Sequence, residues 1–270
     1  MGTEKPWVVI PARAGSKGIQ SKNLVEVGGR SLIRRSVDTC RRVPQLAEVI
    51  VSTDGEGIRK AAREAGARVV SRPPAIAGDW AKSEDAVLHA VDAVAYEVGH
   101  EPTQVLMVQC ASPFLEVQDL IGVLSLLKRF DSAFTAVPSH AFLWRRDPSG
   151  NASGVNHDWK QRLPRQSFSP EFRETGGCYG MNMTGLREAR YRFFGRVGIQ
   201  TVSHMSGIEI DDESDLQFAR AIAASDPLDA KTASTPLGLP TIESGGNGGE
   251  TSKLSSKVTN DADGAKASKK

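Results

Sequence analysis

The sequence predicts an α/β protein of three layers, with helices covering both faces of a mostly parallel sheet. Three observations carry that expectation. Apolar runs of strand length recur at residues 7–10, 49–54, 68–70 and 105–109. The segments between them place apolar residues on one helical face, as Leu32, Ile33, Ser36, Val37 and Cys40 do, which is the face that packs on a sheet. The first run also leads into a loop rich in glycine and cations, at the carboxyl end of a strand, where such sheets take their ligands.

Taken in order, residues 7–10 read as a buried strand ending at Pro11. Residues 25–30 read as a short extended stretch with a glycine turn, and Ser31 is placed to cap a helix over 32–42. A strand at 49–54, a short helix at 57–66 and a third strand at 68–70 follow. Arg72-Pro73-Pro74 with Asp79 begins a loop, and Ser83 is positioned as the cap of an alanine-rich and valine-rich helix to about residue 98. The run 105–109 is broken by Ser112-Pro113-Phe114 at the place where a ligand would lie. A helix at 116–128 precedes a strand at 133–137 that reads as leaving the sheet.

From 138 to about 196 the pattern changes to short segments with Pro, Gly, Asn, Trp and many arginines, and no further βαβ unit is visible. The sheet is expected to resume at 197–211, and a helix at 214–224 closes the fold, with Asp212 at its cap and Asp215 three residues on. From Pro227 onward, Ser, Thr, Gly, Lys and Asp dominate, and so few large apolar residues cannot offset the ordering entropy. The expected organisation is a core of residues 1–137 plus 195–226, an insertion at 138–194 and a disordered tail at 227–270.

A chain of 270 residues with 39% hydrophobic and 24% charged residues has the composition of a soluble globular protein. A formal charge of +2 gives no reason to expect nucleic acid or an anionic membrane as partner. Cys40, Cys110 and Cys178 are scattered and odd in number, unlike a zinc site or a secreted disulfide framework. The early apolar run of four residues is too short for a signal peptide or a membrane span. Reduced thiols in a cytoplasmic protein are the expectation.

The chemistry starts in the loop Pro11-Ala12-Arg13-Ala14-Gly15-Ser16-Lys17-Gly18, which continues to Lys22-Asn23. Gly15 and Gly18 lack the spacing of a dinucleotide fingerprint, and no Gly-x-x-x-x-Gly-Lys-Ser/Thr is present. Three cations beside turn-forming glycines nevertheless suit a phosphate, because such a backbone turns its N–H groups toward an anion. Near the other end of the fold, Ile208-Glu209-Ile210-Asp211 alternates, so that in a strand both carboxylates share a face. Magnesium needs only one or two carboxylates besides phosphate oxygens. Spacing alone equally allows an acidic helix start that suits the helix dipole.

The loop with Lys22-Asn23 resembles the signature of the acylneuraminate cytidylyltransferases, the CMP-sialic acid synthetases, and the resemblance extends with gaps from about Val8 to Arg220. It implies a Rossmann-like nucleotidyltransferase sheet with a dimerisation insertion, and CTP and an acidic keto sugar as substrates. By the same resemblance Ala12, Arg13, Gly15, Ser16, Lys17 and Lys22 hold the triphosphate, and Asn23 helps read the cytosine. Arg72 and Ser83 match a loop and a helix start that contact the nucleotide. Gln109, Arg165, Gln166 and Tyr179 match sugar-binding positions, and Arg165 could pair bidentately with a sugar carboxylate.

Glu209 and Asp211 match an Asp-x-Asp that binds the catalytic metal, Mg2+, with a glutamate here at the first position. Arg13, Lys17 and Asp211 are thereby the expected catalytic groups, and a homodimer the expected assembly. Two departures, Cys110-Ala111 after Gln109 and a missing asparagine before Gly176-Gly177, leave the sugar open between a nine-carbon sialic acid or Kdn type and Kdo, pseudaminic or legionaminic acid. A nucleotide-binding dimer without turnover and a metal-assisted glycosyltransferase are the readings from outside this chemistry.

Overall fold

The computed structural model describes residues 5–16, 18–161, 164 and 171–225. Lys17, Arg165, Gln166 and the tail at 227–270 lie outside the described residues.

The central strand β1 (Trp7–Pro11) is fully buried from Trp7 to Ile10. Its side chains alternate between two cores: Val8 and Ile10 face one, Trp7 and Val9 the other. A strand covered on both faces reads as a continuous apolar run, which is why residues 7–10 carry no polar alternation. After the loop come the hairpin β2 (Glu26–Val27) and β3 (Arg30–Ser31), then α1 (Leu32–Arg41), β4 (Glu48–Thr53), α2 (Glu56–Glu64) and β5 (Arg68–Ser71). α3 (Ser83–Val98), β6 (Gln104–Val108), α4 (Val117–Leu126) and β7 (Ser132–Ser139) follow. The small hairpin β8 (Trp144–Arg146) and β9 (Ala152–Gly154) precedes β10 (Glu171–Asn182), α5 (Met183–Ala189), β11 (Val197–Thr201) and α6 (Glu213–Ser225).

Seven strands form one sheet in the order β11-β7-β10-β6-β1-β4-β5. β1 is parallel to both β4 and β6, β4 to β5, and β11 to β7, while β10 runs antiparallel to both of its neighbours. One core packs the sheet against α1, α2, α4 and α6, through residues such as Leu32, Ala62, Leu120 and Leu216. The other packs it against α3 and α5 through Val87, Val91 and Leu186. Burying a side chain such as Ile10 contributes about 1.5–3 kcal/mol, so the three layers fix the strand ends from which the loops emerge.

Four local expectations need correction. The sheet does not pause between 138 and 194: β10 lies inside that segment, and β7 stays in the sheet beside it. Residues 208–211 form no ladder strand; Ile210 N–H donates singly to the Ala111 carbonyl at 2.9 Å. Ser83 is the first helical residue of α3, and Lys82 occupies the cap without a side-chain bond. Ser31 does precede α1 but makes no capping bond. The acidic box ahead of α6 is as expected. Asp215 N–H donates to Asp212 Oδ1 at 3.0 Å, and Asp212 N–H returns to Asp215 Oδ2 at 3.1 Å, satisfying donors that a helix start leaves open.

Candidate active site

The loop after β1 is held by its own backbone. Ala12 N–H donates to the Ser52 carbonyl at 2.9 Å and Ala14 N–H to Asp54 Oδ1 at 2.8 Å, while the Asn23 amide donates to the Arg13 carbonyl at 2.9 Å. Beneath it Arg72 is buried, its guanidinium donating to the Ser52 carbonyl at 2.7 Å and to Ser52 Oγ at 3.2 Å. Burial lowers the Arg72 pKa, with the Asp54 carboxylate opposing that shift and the Arg13 charge adding to it. Arg72 thus ties β4 to the loop's floor.

Above that floor lies a cleft of about 240 Å³. The loop lines it with Arg13, Gly15, Ser16, Lys22 and Asn23; Ser83 enters from α3 and Gln109 from the end of β6. Its place at the carboxyl ends of parallel strands is that of ligand sites in open α/β sheets. A larger hollow of about 720 Å³ borders α1 and residues 113–116. There Arg35 donates to the Pro113 and Val27 carbonyls and Arg41 to the Ala65 carbonyl. Those guanidinia are committed to backbone, so the smaller cleft is the better place for chemistry.

Both described cations of the loop pair with exposed acids. Arg13 meets Asp79 at 2.5 Å, and Lys22 meets Asp211 at 3.0 Å. Asp211 belongs to the site through a second contact, because a Cβ on Gly18 would lie 2.1 Å from the Asp211 carbonyl oxygen. Only glycine lets the loop and residues 208–211 approach so closely. Glu209 is half-buried, and its pKa is pushed up to about 7 by burial first and by the Asp211 charge second, against the pull of Arg173 and Lys22. Two carboxylates that repel one another at the edge of the glycine-rich basic loop form a donor set of oxygens that fits a hard divalent cation. Among the described residues no group of three or more His, Cys, Asp or Glu gathers as a metal centre, so the carboxylate pair would need phosphate or water oxygens to complete a shell.

Gly176 shapes the side of the cleft near Gln109. Its φ of +63° and the register shift between Glu174 and Tyr179 bend β10, and a Cβ there would lie 2.0 Å from Glu209 Oε1 and 3.4 Å from Gln109 Oε1. Gln109 and Glu209 therefore come together over that glycine. Tyr179 is not on the cleft wall: it is 3% exposed, and its hydroxyl donates to Glu174.

Sequence reasoning passed over Asp54, Asp79 and the bend at Gly176. Asp54 follows the polar end of β4, a position that the strand-end rule could have marked. The pairing of Asp79 with Arg13 spans 66 residues and has no local signal.

The profile described as "Cytidylyltransferase" matches residues 7–230. The chain is 31% identical over 177 residues to N-acylneuraminate cytidylyltransferase A of Danio rerio, covering 63% of this chain and 40% of that protein. It is 26% identical over 221 residues to the N-acylneuraminate cytidylyltransferase of Escherichia coli O18:K1:H7, covering 79% and 51%. The chain thus spans about half the length, or less, of these curated relatives. Among solved structures, a CMP:2-keto-3-deoxy-manno-octonic acid synthetase complexed with CTP superposes with a TM-score of 0.61 at 17% identity, over 82% of this chain and 98% of that one. A 4-diphosphocytidyl-2C-methyl-D-erythritol synthase from Anaerococcus prevotii gives 0.60 at 16% identity, over 81% and 96%. These two likenesses concern the fold. With the profile running from the first strand of the sheet through α6, the chain belongs to the cytidylyltransferase family.

Proposed function

We propose that this protein joins CTP to a nine-carbon 2-keto-3-deoxy sugar acid of the sialic acid or Kdn type, giving the CMP-sugar and pyrophosphate. The observation that carries the reading is the convergence of Arg13, Lys22, Asn23, Ser83 and Gln109 on one cleft, with Asp211 packed on Gly18. The names of the relatives from Danio rerio and Escherichia coli support the sugar class.

In this mechanism the anomeric hydroxyl of the sugar attacks the α-phosphorus and pyrophosphate leaves, with no covalent bond to the protein. Arg13 and Lys22 exchange Asp79 and Asp211 for phosphate oxygens. The acids given up are 49% and 78% exposed and rehydrate on release, whereas a hydrogen bond to a charged group contributes about 1.5–3 kcal/mol. Lys17 extends the same cationic loop. Gln109, with Arg165 and Gln166 as further sugar contacts, orients the acceptor, while Tyr179, buried behind the cleft, is not a sugar contact; orientation is the main service that the chain provides. Glu209 and Asp211 would hold magnesium, which when bound supplies charge neutralisation on the departing pyrophosphate.

The assembly in this reading is a homodimer built through the 138–194 segment. The exposed Leu143, Trp144, Trp159 and Phe172 of that segment support it, since apolar surface gathered in one region marks an interface. Light scattering tests it, a monomeric mass speaking against the dimer. The protein acts in the cytoplasm, where its three buried thiols stay reduced.

The deciding experiment is pyrophosphate release with CTP and magnesium, offering sialic acid, Kdn and Kdo in parallel. Release with one nine-carbon acid establishes reaction and acceptor. Release with Kdo alone moves the acceptor to the eight-carbon acid. CTP binding without release from any acceptor overturns the proposed turnover.

A further inference from the structure

Four side chains form one continuous run of contacts behind the cleft. Glu84 follows Ser83 on α3 and is 2% exposed, and its partner is Arg192. Its carboxylate accepts a hydrogen bond from Arg192 Nε at 2.7 Å. The Arg192 guanidinium lies over the Tyr179 ring, 4.5 Å from the centroid, and the Tyr179 hydroxyl donates to Glu174. Next to Arg192, Phe193 meets Phe134 and Tyr179 edge-on at 5.2 and 5.9 Å. The turn bearing Arg192 is therefore fastened to β7 and β10.

Each end of this run reaches a wall of the cleft. At one end Glu84 sits in the first turn of α3, which carries Ser83 into the cleft without a side-chain cap at Lys82. At the other, Glu174 stands two residues before Gly176, against which Glu209 and Gln109 pack. A buried ion pair is a weak source of stability, because desolvation cancels most of its attraction. An aromatic face beneath the guanidinium and a carboxylate before it leave the pair a single geometry.

We infer that Arg192 is a positioning residue for the reaction proposed above, and the inference rests on that reading: it holds the α3 wall, with Ser83, at a fixed distance from the β10 wall, against which Gln109 and Glu209 pack. Arg192 need not touch either substrate. Loss of the tie lets the first turn of α3 drift, and the nucleotide loses a contact from the Ser83 side.

The test compares the wild-type protein with Glu84→Gln/Arg192→Met, which removes both charges and leaves neither unpaired. Thermal melting reports folding, calorimetric titration with CTP alone reports affinity, and pyrophosphate release reports KM and kcat. The expected result is one cooperative melt, a CTP Kd and KM raised roughly tenfold, the worth of about one hydrogen bond, and a much smaller change in kcat. A purely structural role would lower the melting temperature and the active fraction but leave Kd unmoved. Arg192→Lys, which retains a charge toward Glu84, is expected to restore most of the CTP affinity. A folded double variant with wild-type CTP affinity overturns the inference. Should that variant not fold, Arg192→Lys is compared with Arg192→Gln, and equal CTP affinities in those two overturn it. Wild-type protein that neither binds CTP nor releases pyrophosphate overturns the functional reading itself, and the positioning role falls with it.

Discussion

Gly18→Ala is the sharpest probe of the cleft, because one methyl group separates its two halves. The added Cβ would lie 2.1 Å from the Asp211 carbonyl oxygen and 3.3 Å from its carbonyl carbon. Both neighbours are backbone, so no side chain can turn aside, and loop and Asp211 must part by more than about 1 Å to reach ordinary contact. Overpacking of this kind costs about 1–3 kcal/mol of stability. A misplacement of about 1 Å in a site that works by positioning costs on the order of 100-fold in rate. The variant should therefore melt a few degrees lower, remain folded, and lose about 100-fold in kcat/KM for CTP. The control is Gly15→Ala, where nothing lies within 4 Å of the new Cβ and the melting temperature should not fall. The assay is pyrophosphate release beside a thermal melt. A Gly18→Ala protein with wild-type kcat/KM would refute the close packing of loop on Asp211 as the basis of the site.

Asp211→Ala should lower turnover by at least about 100-fold while leaving the melting temperature within about 2 °C, because the Asp211 side chain is 78% exposed; a large loss of stability would contradict that placement. Gly176→Ala places a Cβ at φ +63° against Glu209, a strain of about 1–2 kcal/mol that should lower the melting temperature by roughly 2–8 °C; an unchanged melt would show that β10 does not need the bend. Native protein at pH 8 should not react with a thiol reagent, and all three thiols should react in guanidinium chloride, since Cys40, Cys110 and Cys178 are buried. Burial pushes the Cys110 thiol up from 9.0 to about 12, with the Ser36 hydroxyl, Lys22 and Arg72 pulling the other way. Its folded pKa lies above its unfolded one, so its contribution to stability is complete below pH 9 and is lost as pH rises toward 12; alkaline melts that stay flat across that range would refute the shift.

The parallel half of the sheet was legible because β1, β4 and β6 are covered on both faces and write unbroken apolar runs. β10 was not, for a physical reason. It is antiparallel, joins β7 without a crossover helix, and is interrupted by Gly176, Gly177 and Gly180, so neither alternation nor a βαβ rhythm survives in its sequence. The alternation of residues 208–211 was real and placed Ile210 in the core, but alternation fixes faces and says nothing about a partner strand. In the cleft, Arg13, Lys22, Asn23, Ser83 and Gln109 come together as the sequence suggested. The acids that face them come from afar: Asp79 is 66 and Asp211 is 189 residues from its partner.

Those distant acids differ in kind from the buried ones, and the difference explains how one site can be both preformed and exchangeable. Arg72 is buried and bound to the Ser52 carbonyl, and the Glu84–Arg192 pair is withdrawn from water; breaking either would leave a desolvated charge, which costs several times what an exposed pair contributes. Arg13 and Lys22 face acids that are 49% and 78% exposed, and water compensates the acid that is released. In the proposed reading a triphosphate takes the two loop cations without disturbing the scaffold beneath them, and the acid it frees at Asp211 is the one that stands beside Glu209.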